Sequence, residues 1–339
     1  MRHLKLLHIG KEENLHHYPP EATLLQSLSI VSMPMGLPSE QYARSMPDAD
    51  VLVVDAIARI PGDLIRALPS LKMIHSEGVA FNQIDVETAA TCGVCVCNSA
   101  GMNAEAVAEQ TLLLMLGVLR DVANNDCAVR EGRQMPVKER YMTTGTLRSL
   151  SDCRVGLIGF GHIGQCTAQI LKACHARVFY TQRRRASEEI EEIEQACQAS
   201  WVPTQDELLS TCDIISLHLP VTKETEHMCD ASFFQKMKPG AYFINTSRGE
   251  LVDDQALVDA LKSGRLSMAG LDTLDHEPVQ RNHPLLNQPE DIAAKLLFSP
   301  HIGGITESSF RKSYQMIWEN VRRIAEGQPP MRVVNHVRL

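Results

Sequence analysis

The stretch Arg154-Val155-Gly156-Leu157-Ile158-Gly159-Phe160-Gly161-His162-Ile163-Gly164 decides how the rest of the chain is read. Five strand-forming residues run into three glycines spaced G-x-G-x-x-G. Ile163, Ala168, Ile170 and Leu171 then recur at helical spacing, and a second apolar strand follows at 177–180. A glycine triplet alone says little, because glycine turns arise for many backbone reasons. Between a strand and a helix each glycine acquires a role. Gly159 permits the tight turn, Gly161 lets backbone approach a pyrophosphate, and Gly164 allows helix and strand to pack closely. The helix start, with His162 and Ile163 in its first turn, presents free N–H groups to an anion. The pattern predicts the opening β-α-β unit of a dinucleotide-binding fold.

This unit begins near the middle of a chain of 339 residues, a length that predicts two domains. Ahead of it, short apolar segments at 4–9, 29–33, 51–54, 72–75 and 94–97 alternate with turn or helix signals such as Pro38, Pro61-Gly62 and Pro69, as in a parallel sheet. An Ala- and Leu-rich run at 103–122 reads as a long helix with Asn103 as N-cap and Glu105 in its first turn. Beyond the glycines, 213–217, 241–245, 268–272 and 296–299 read as further strands, and 303–327 as a final helix returning to the first domain. The expected fold is α/β with two doubly wound parallel-sheet domains. A Rossmann domain at 103–302 is inserted into a flavodoxin-like substrate domain made of 1–102 and 303–339.

The formal net charge of −8 argues against a general nucleic-acid binder, which needs a positive face to displace counterions. The most apolar segment, 112–118, is too short to span a bilayer, and residues 1–9 read as a strand rather than a signal peptide. A cytoplasmic protein without membrane or nucleic-acid partners is expected. Ten cysteines are scattered without a repeated C-x-x-C pair, which predicts buried reduced thiols and no metal site. Cys95 and Cys97 share one face of a strand.

Ligands in open α/β sheets bind beyond the C-terminal strand ends, and three residues stand there: Arg248, Glu277 and His301. Each alone is more often a surface or structural group. Together they suit hydride chemistry on an oxo acid. Arg248 offers a planar fork of donors to a carboxylate, His301 can protonate a carbonyl oxygen, and a Glu277 carboxylate beside it would favour the imidazolium.

The chain resembles the D-isomer-specific 2-hydroxyacid dehydrogenases, the family of glyoxylate/hydroxypyruvate reductases and phosphoglycerate dehydrogenases. The resemblance runs through Asn103-Ala104-Glu105-Ala106-Val107-Ala108-Glu109, the segment 155–164, Leu217-His218-Leu219-Pro220, the segment 244–253, Gly270-Leu271-Asp272 through Glu277-Pro278, and Ser299-Pro300-His301-Ile302-Gly303-Gly304. It implies that Arg248 binds substrate and polarises its carbonyl, that His301 is the acid/base and that Glu277 tunes it. It also implies that Asp272 contacts the nicotinamide end, with Pro220, Thr225, Thr246, Ser247 and Gly303 along the cofactor site. A homodimer formed mainly through the cofactor domains is implied as well.

Two departures bear on specificity. NAD-preferring relatives place Asp at the end of the second Rossmann strand, where this chain has Gln182 followed by Arg183 and Arg184. Loss of the carboxylate and gain of guanidiniums would welcome a 2′-phosphate, so NADP is expected in preference to NAD. In the segment 76–85, Ala80 and Asn82 replace a common Gly and Asp. The backbone N–H groups of Val79 and Ala80 should still reach a substrate carboxylate, and Phe81 is expected to pack.

The reading is a reductase of small 2-oxo acids, such as glyoxylate or hydroxypyruvate, forming the D-2-hydroxy acid. The alternatives are an NAD-dependent dehydrogenase of phosphoglycerate or another larger acid, and a dinucleotide-sensing binding protein without turnover.

Overall fold

The computed structural model of the protein describes residues 1–183 and 188–338, so the cofactor candidate Arg184 lies outside the described residues. The chain divides into two compact units, Met1–Asn103 with Ile305–Leu339, and Ala104–Gly304.

In the first unit, β1 (Leu4–Ile9), β2 (Leu28–Met33), β3 (Val51–Val54), β4 (Met73–Ser76) and β5 (Cys95–Cys97) form a parallel sheet in the order β2-β1-β3-β4-β5. This is the flavodoxin-like order. Alternate residues of β1 and β3 feed two cores, with Leu7, Ile9, Leu52 and Val54 on one face and Leu4, Leu6, Val51 and Val53 on the other. Burial on both faces explains why β3 is apolar throughout and why only Lys5 and His8 interrupt the apolar run of β1. The second face meets the helix Glu307–Ala325 through Tyr314, Ile317, Trp318 and Val321, one stripe at helical spacing. That helix starts later than residue 303 because the Thr306 hydroxyl caps it, accepting from Ser309 N at 3.2 Å. Gly327, at φ +73°, ends it.

In the second unit, β6 (Arg154–Ile158), β7 (Arg177–Thr181), β8 (Ala199–Trp201), β9 (Ile214–Leu217), β10 (Ala241–Asn245), β11 (Leu266–Leu271) and β12 (Leu296–Phe298) form a parallel sheet in the order β12-β11-β10-β9-β6-β7-β8. This is the Rossmann order with a seventh strand. Strand β8 was not expected; three residues paired only to β7 are too few to show a pattern in sequence.

The helix Ala104–Leu119 buries Leu114, Met115 and Val118 against this sheet. Its expected cap does not form: Asn103 Oδ1 is buried without a hydrogen-bond partner among the described residues. Helices Val122–Arg130 and Gln134–Thr144 follow. In the second of these Pro136 falls in the first turn, where its missing N–H is not needed. All ten cysteines are free, and burial pushes the Cys97 thiol up to about 12. Among the described residues no helix is long and apolar enough to cross a membrane.

Candidate active site

Strand β6 pairs with β7 on one side and β9 on the other, so the strand order reverses beside it. Gly159 follows β6 at φ +100°, and a Cβ there would lie 2.2 Å from the His218 carbonyl oxygen beyond β9. A Cβ on Gly164 would lie 2.6 Å from the Gly159 oxygen, whereas one on Gly161 would meet nothing within 4 Å. Packing therefore demands two of the glycines, and the third faces open space, as room for a phosphate requires. The helix His162–Ala173 starts here, with His162 exposed and Ile163 partly buried. His218 sits beneath this turn. Burial pushes its ring down to about 3, Ser216 Oγ lies 3.0 Å from Nε2, and Nδ1 is buried without a partner among the described residues.

At the end of β7, Gln182 Nε2 is buried without a hydrogen-bond partner among the described residues, and Arg183 is exposed. A carboxylate in place of Gln182 is absent, as the sequence shows. Beyond β9, the Thr225 hydroxyl donates to Pro220 O at 2.8 Å and accepts from Thr222 N at 2.7 Å. Thr225 thus folds the loop that presents exposed Pro220.

Beyond β10 the side chain of Asn245 organises the turn carrying Arg248. Its Nδ2 donates to Arg248 O at 2.7 Å, and its Oδ1 accepts from Ser247 N at 2.9 Å. The Ser247 hydroxyl donates to Leu217 O at 2.7 Å, and Thr246 Oγ1 lies 2.8 Å from Thr111 Oγ1. Arg248 Nη1 donates to Ser247 O at 2.7 Å. No carboxylate among the described residues pairs with its guanidinium, so the charge is left for a ligand. Gly249 closes the turn against the 274–275 backbone.

His301 and Glu277 meet. His301 Nδ1 lies 2.6 Å from Glu277 Oε2, and Glu277 Oε1 accepts from Leu274 N at 3.2 Å. With Nδ1 engaged, Nε2 is the nitrogen available to a substrate. His301 adopts φ +56°, a left-handed backbone that non-glycine residues rarely take and that clusters at functional sites. The turn is pinned by Asp272, which is 2 % exposed. Its backbone oxygen accepts from His301 N at 2.8 Å. Its carboxylate accepts from Ile302 N at 3.1 Å, from Gly303 N at 2.9 Å, and from the Ser299 hydroxyl. The resemblance implies a nicotinamide contact for Asp272; the structure adds an internal one, as the anchor of the His301 turn. No hydrogen bond or ion pair among the described residues joins Arg248 to His301 or Glu277.

Val79 and Ala80 lie in the first unit, past β4. Phe81 packs against that unit's core. Sequence reasoning passed over Asn245 and Gly249 as functional residues. An Asn closing a strand before Thr-Ser is a recognisable turn former, but nothing local marks the close approach at Gly249.

A profile of the D-isomer specific 2-hydroxyacid dehydrogenase NAD binding domain matches residues 112–303. The chain is 33 % identical over 296 residues to a glyoxylate reductase of Thermofilum pendens, covering 87 % of this chain and 84 % of that one. It is 30 % identical over 305 residues to a D-3-phosphoglycerate dehydrogenase of Archaeoglobus fulgidus, covering 90 % of this chain and 55 % of that one. Among solved structures, the apo form of Rhodotorula graminis D-mandelate dehydrogenase superposes with a TM-score of 0.84 at 25 % identity, covering 99 % of this chain and 98 % of that one. A profile match over more than half of the chain and a relative one-third identical across most of both sequences show that the chain belongs to the D-isomer-specific 2-hydroxyacid dehydrogenase family.

Proposed function

We propose that the protein reduces small 2-oxo acids of the glyoxylate or hydroxypyruvate kind to the D-2-hydroxy acid. The observation that carries this reading is the His301–Glu277 pair at 2.6 Å, set on a turn whose backbone is pinned by Asp272. The open face of Gly161, the start of helix His162–Ala173 and the unpartnered Gln182 amide fit a nicotinamide dinucleotide. Bound there, the dinucleotide supplies the hydride. Arg248 clamps the substrate carboxylate and polarises the carbonyl, and the amides of Val79 and Ala80 are further donors for a carboxylate. His301 gives the proton from Nε2 to the carbonyl oxygen, and Glu277 holds the ring's orientation and balances its charge.

Gln182 and Arg183 favour NADPH over NADH, because no carboxylate at this strand end repels a 2′-phosphate. The protein works as a homodimer joined through the cofactor unit. An exposed apolar face on helices Val122–Arg130 and Gln134–Thr144, with Val129 and Met142 around a cavity of about 500 Å³, supports this. The likeness to a phosphoglycerate dehydrogenase favours a second reading, a larger hydroxy acid oxidised with NAD.

The test is parallel initial rates of NADPH and NADH oxidation with small and bulky 2-oxo acids, with His301→Ala as control. Turnover of small acids with an NADPH bias, lost in the variant, is expected. Turnover only with bulky acids and NADH would select the second reading, and cofactor binding without turnover of any acid would indicate a sensing protein.

A further inference from the structure

Glu77, the first residue beyond β4, is a carboxylate only 5 % exposed. Donors surround it. His8 Nε2 lies 2.7 Å from Oε1, the Tyr314 hydroxyl donates to that same oxygen, and Asn14 Nδ2 donates to Oε2 at 3.2 Å. The other ring nitrogen of His8 lies 2.7 Å from Ser32 Oγ. His8 is fully buried and Tyr314 nearly so. Strand β1, the helix Glu12–His17 and the helix Glu307–Ala325 therefore all reach one carboxylate inside the first unit, and β2 braces His8 through Ser32. Burying a carboxylate is costly, and apolar replacements of such networks often leave a protein equally stable or more so. Stability alone gives no reason for it.

The neighbouring backbone supplies one. Glu77 N donates to Val54 O at 2.8 Å, which ties the loop root to β3. The next three carbonyls are all bound inward. Gly78 O accepts from Ser99 N at 2.9 Å, Val79 O from Asn98 Nδ2 at 2.7 Å, and Ala80 O from the Ser76 hydroxyl at 2.7 Å. The amides of Val79 and Ala80, by contrast, have no hydrogen-bond partner among the described residues. Carbonyls held inward with adjacent amides left free make a backbone cradle for an anion.

We propose that Glu77, gripped by His8 and Tyr314, is the positioning residue of this cradle and sets its affinity for the substrate carboxylate. The assignment rests on the reading of Val79 and Ala80 given above and deepens it. A cradle already ordered before binding needs no ordering on contact, so loosening its root weakens the anion's hold. Proton transfer depends on His301 and Glu277, and cofactor binding on the Gly159 turn, all in the other unit. The effect should fall on KM for the oxo acid.

Three variants test it: Tyr314→Phe, Glu77→Ala and Glu77→Gln. Tyr314→Phe removes one donor and keeps the ring that stacks on Tyr18 at 5.3 Å. Expected are rises in KM for the 2-oxo acid of about fivefold in Tyr314→Phe and about tenfold in Glu77→Ala, with kcat and the cofactor KM within about twofold of wild type. Glu77→Gln, whose amide oxygen still accepts from Tyr314 and His8, should recover most of the loss. Amide hydrogen exchange on the same proteins should quicken about tenfold across 76–82 while β1, β3 and β6 keep their protection. An unchanged KM in both Tyr314→Phe and Glu77→Ala, or a fall in kcat with KM constant, overturns the assignment. Failure of the wild type to reduce any 2-oxo acid would sink the functional reading instead. In that case exchange still decides, since unchanged protection of 76–82, or a loss spread over the whole unit, overturns the positioning role.

Discussion

A Cβ on Gly249 would lie 1.9 Å from the Leu274 carbonyl carbon, so the loop carrying Arg248 and the loop carrying Glu277 rest backbone on backbone. Only glycine allows that approach. Gly249→Ala should push the two loops apart, lowering kcat/KM for the oxo acid by about 10²-fold, the scale of a displacement near 1 Å. Cofactor affinity, followed by fluorescence titration, should stay within about threefold because the Gly159 turn is untouched. Full activity in the variant would mean that the close approach is incidental.

Asn tolerates a left-handed backbone, so His301→Asn preserves the turn while removing the proton donor. A loss of about 10²- to 10⁴-fold in single-turnover rate is expected. Glu277→Gln should cost less, about tenfold or more, because the imidazole remains. If Glu277 acts through His301, the double variant will be no slower than His301→Asn. Additive losses would give Glu277 an independent role.

Gln182→Asp places a carboxylate where the 2′-phosphate is proposed to bind. KM for NADPH should rise about tenfold or more while KM for NADH changes little or falls. Equal changes for both cofactors would remove Gln182 from the ribose end of the site.

Acid should destabilise the protein through His75, which is fully buried, and His218, which is half-buried with its Nδ1 enclosed. Burial pushes His75 down to about 4, against smaller upward effects from the Ser76 carbonyl and Glu77, and it pushes His218 down to about 3. In the unfolded chain both rings take a proton near pH 6.5, so below that the unfolded state binds more protons than the folded one. Stability is fully present above pH 6.5 and declines as pH falls toward those lower values, by up to roughly 1.4 kcal/mol per unit for each ring. Thermal melts between pH 7.5 and 5 should show it, and His75→Gln should flatten the decline. A melting temperature insensitive to pH in this range would contradict the burial argument.

Val129 and Met142 are 56 % and 76 % exposed on the apolar face of the cofactor unit. Val129→Glu should convert the proposed dimer to a monomer, measured as mass by light scattering, without lowering the melting temperature of the separated chain. A wild-type monomer at micromolar concentration would remove the dimer from the reading.

Much of this fold is legible in the chain because fully buried parallel strands are apolar throughout. Segments 51–54, 154–158 and 241–245 read to the residue. Strand β8 is too short to leave a pattern, and helix Gln134–Thr144 is masked by Pro136 and by its lack of a buried stripe. The His301–Glu277 contact is anticipated by two residues of the right chemistry that each follow a strand end, and the proposed role of Arg248 rests on the same pattern. The anchoring bonds of Asp272, the constraint at Gly249 and the donors around Glu77 are not anticipated. They depend on which distant segments meet, and no local spacing encodes that.

The helix Glu307–Ala325, which covers one face of the first sheet, leaves the ribosome only after the whole of the second unit. Residues 1–103 must therefore wait through the synthesis of 104–304, about 10 to 40 s at typical elongation rates. During that interval the second unit, continuous in sequence, can fold ahead of the first. Until Tyr314 and Trp318 arrive, Leu4, Leu6, Val51 and Val53 of β1 and β3 lack that apolar cover. Translation speed across the inserted segment thus becomes a determinant of yield, independent of how stable the finished protein is.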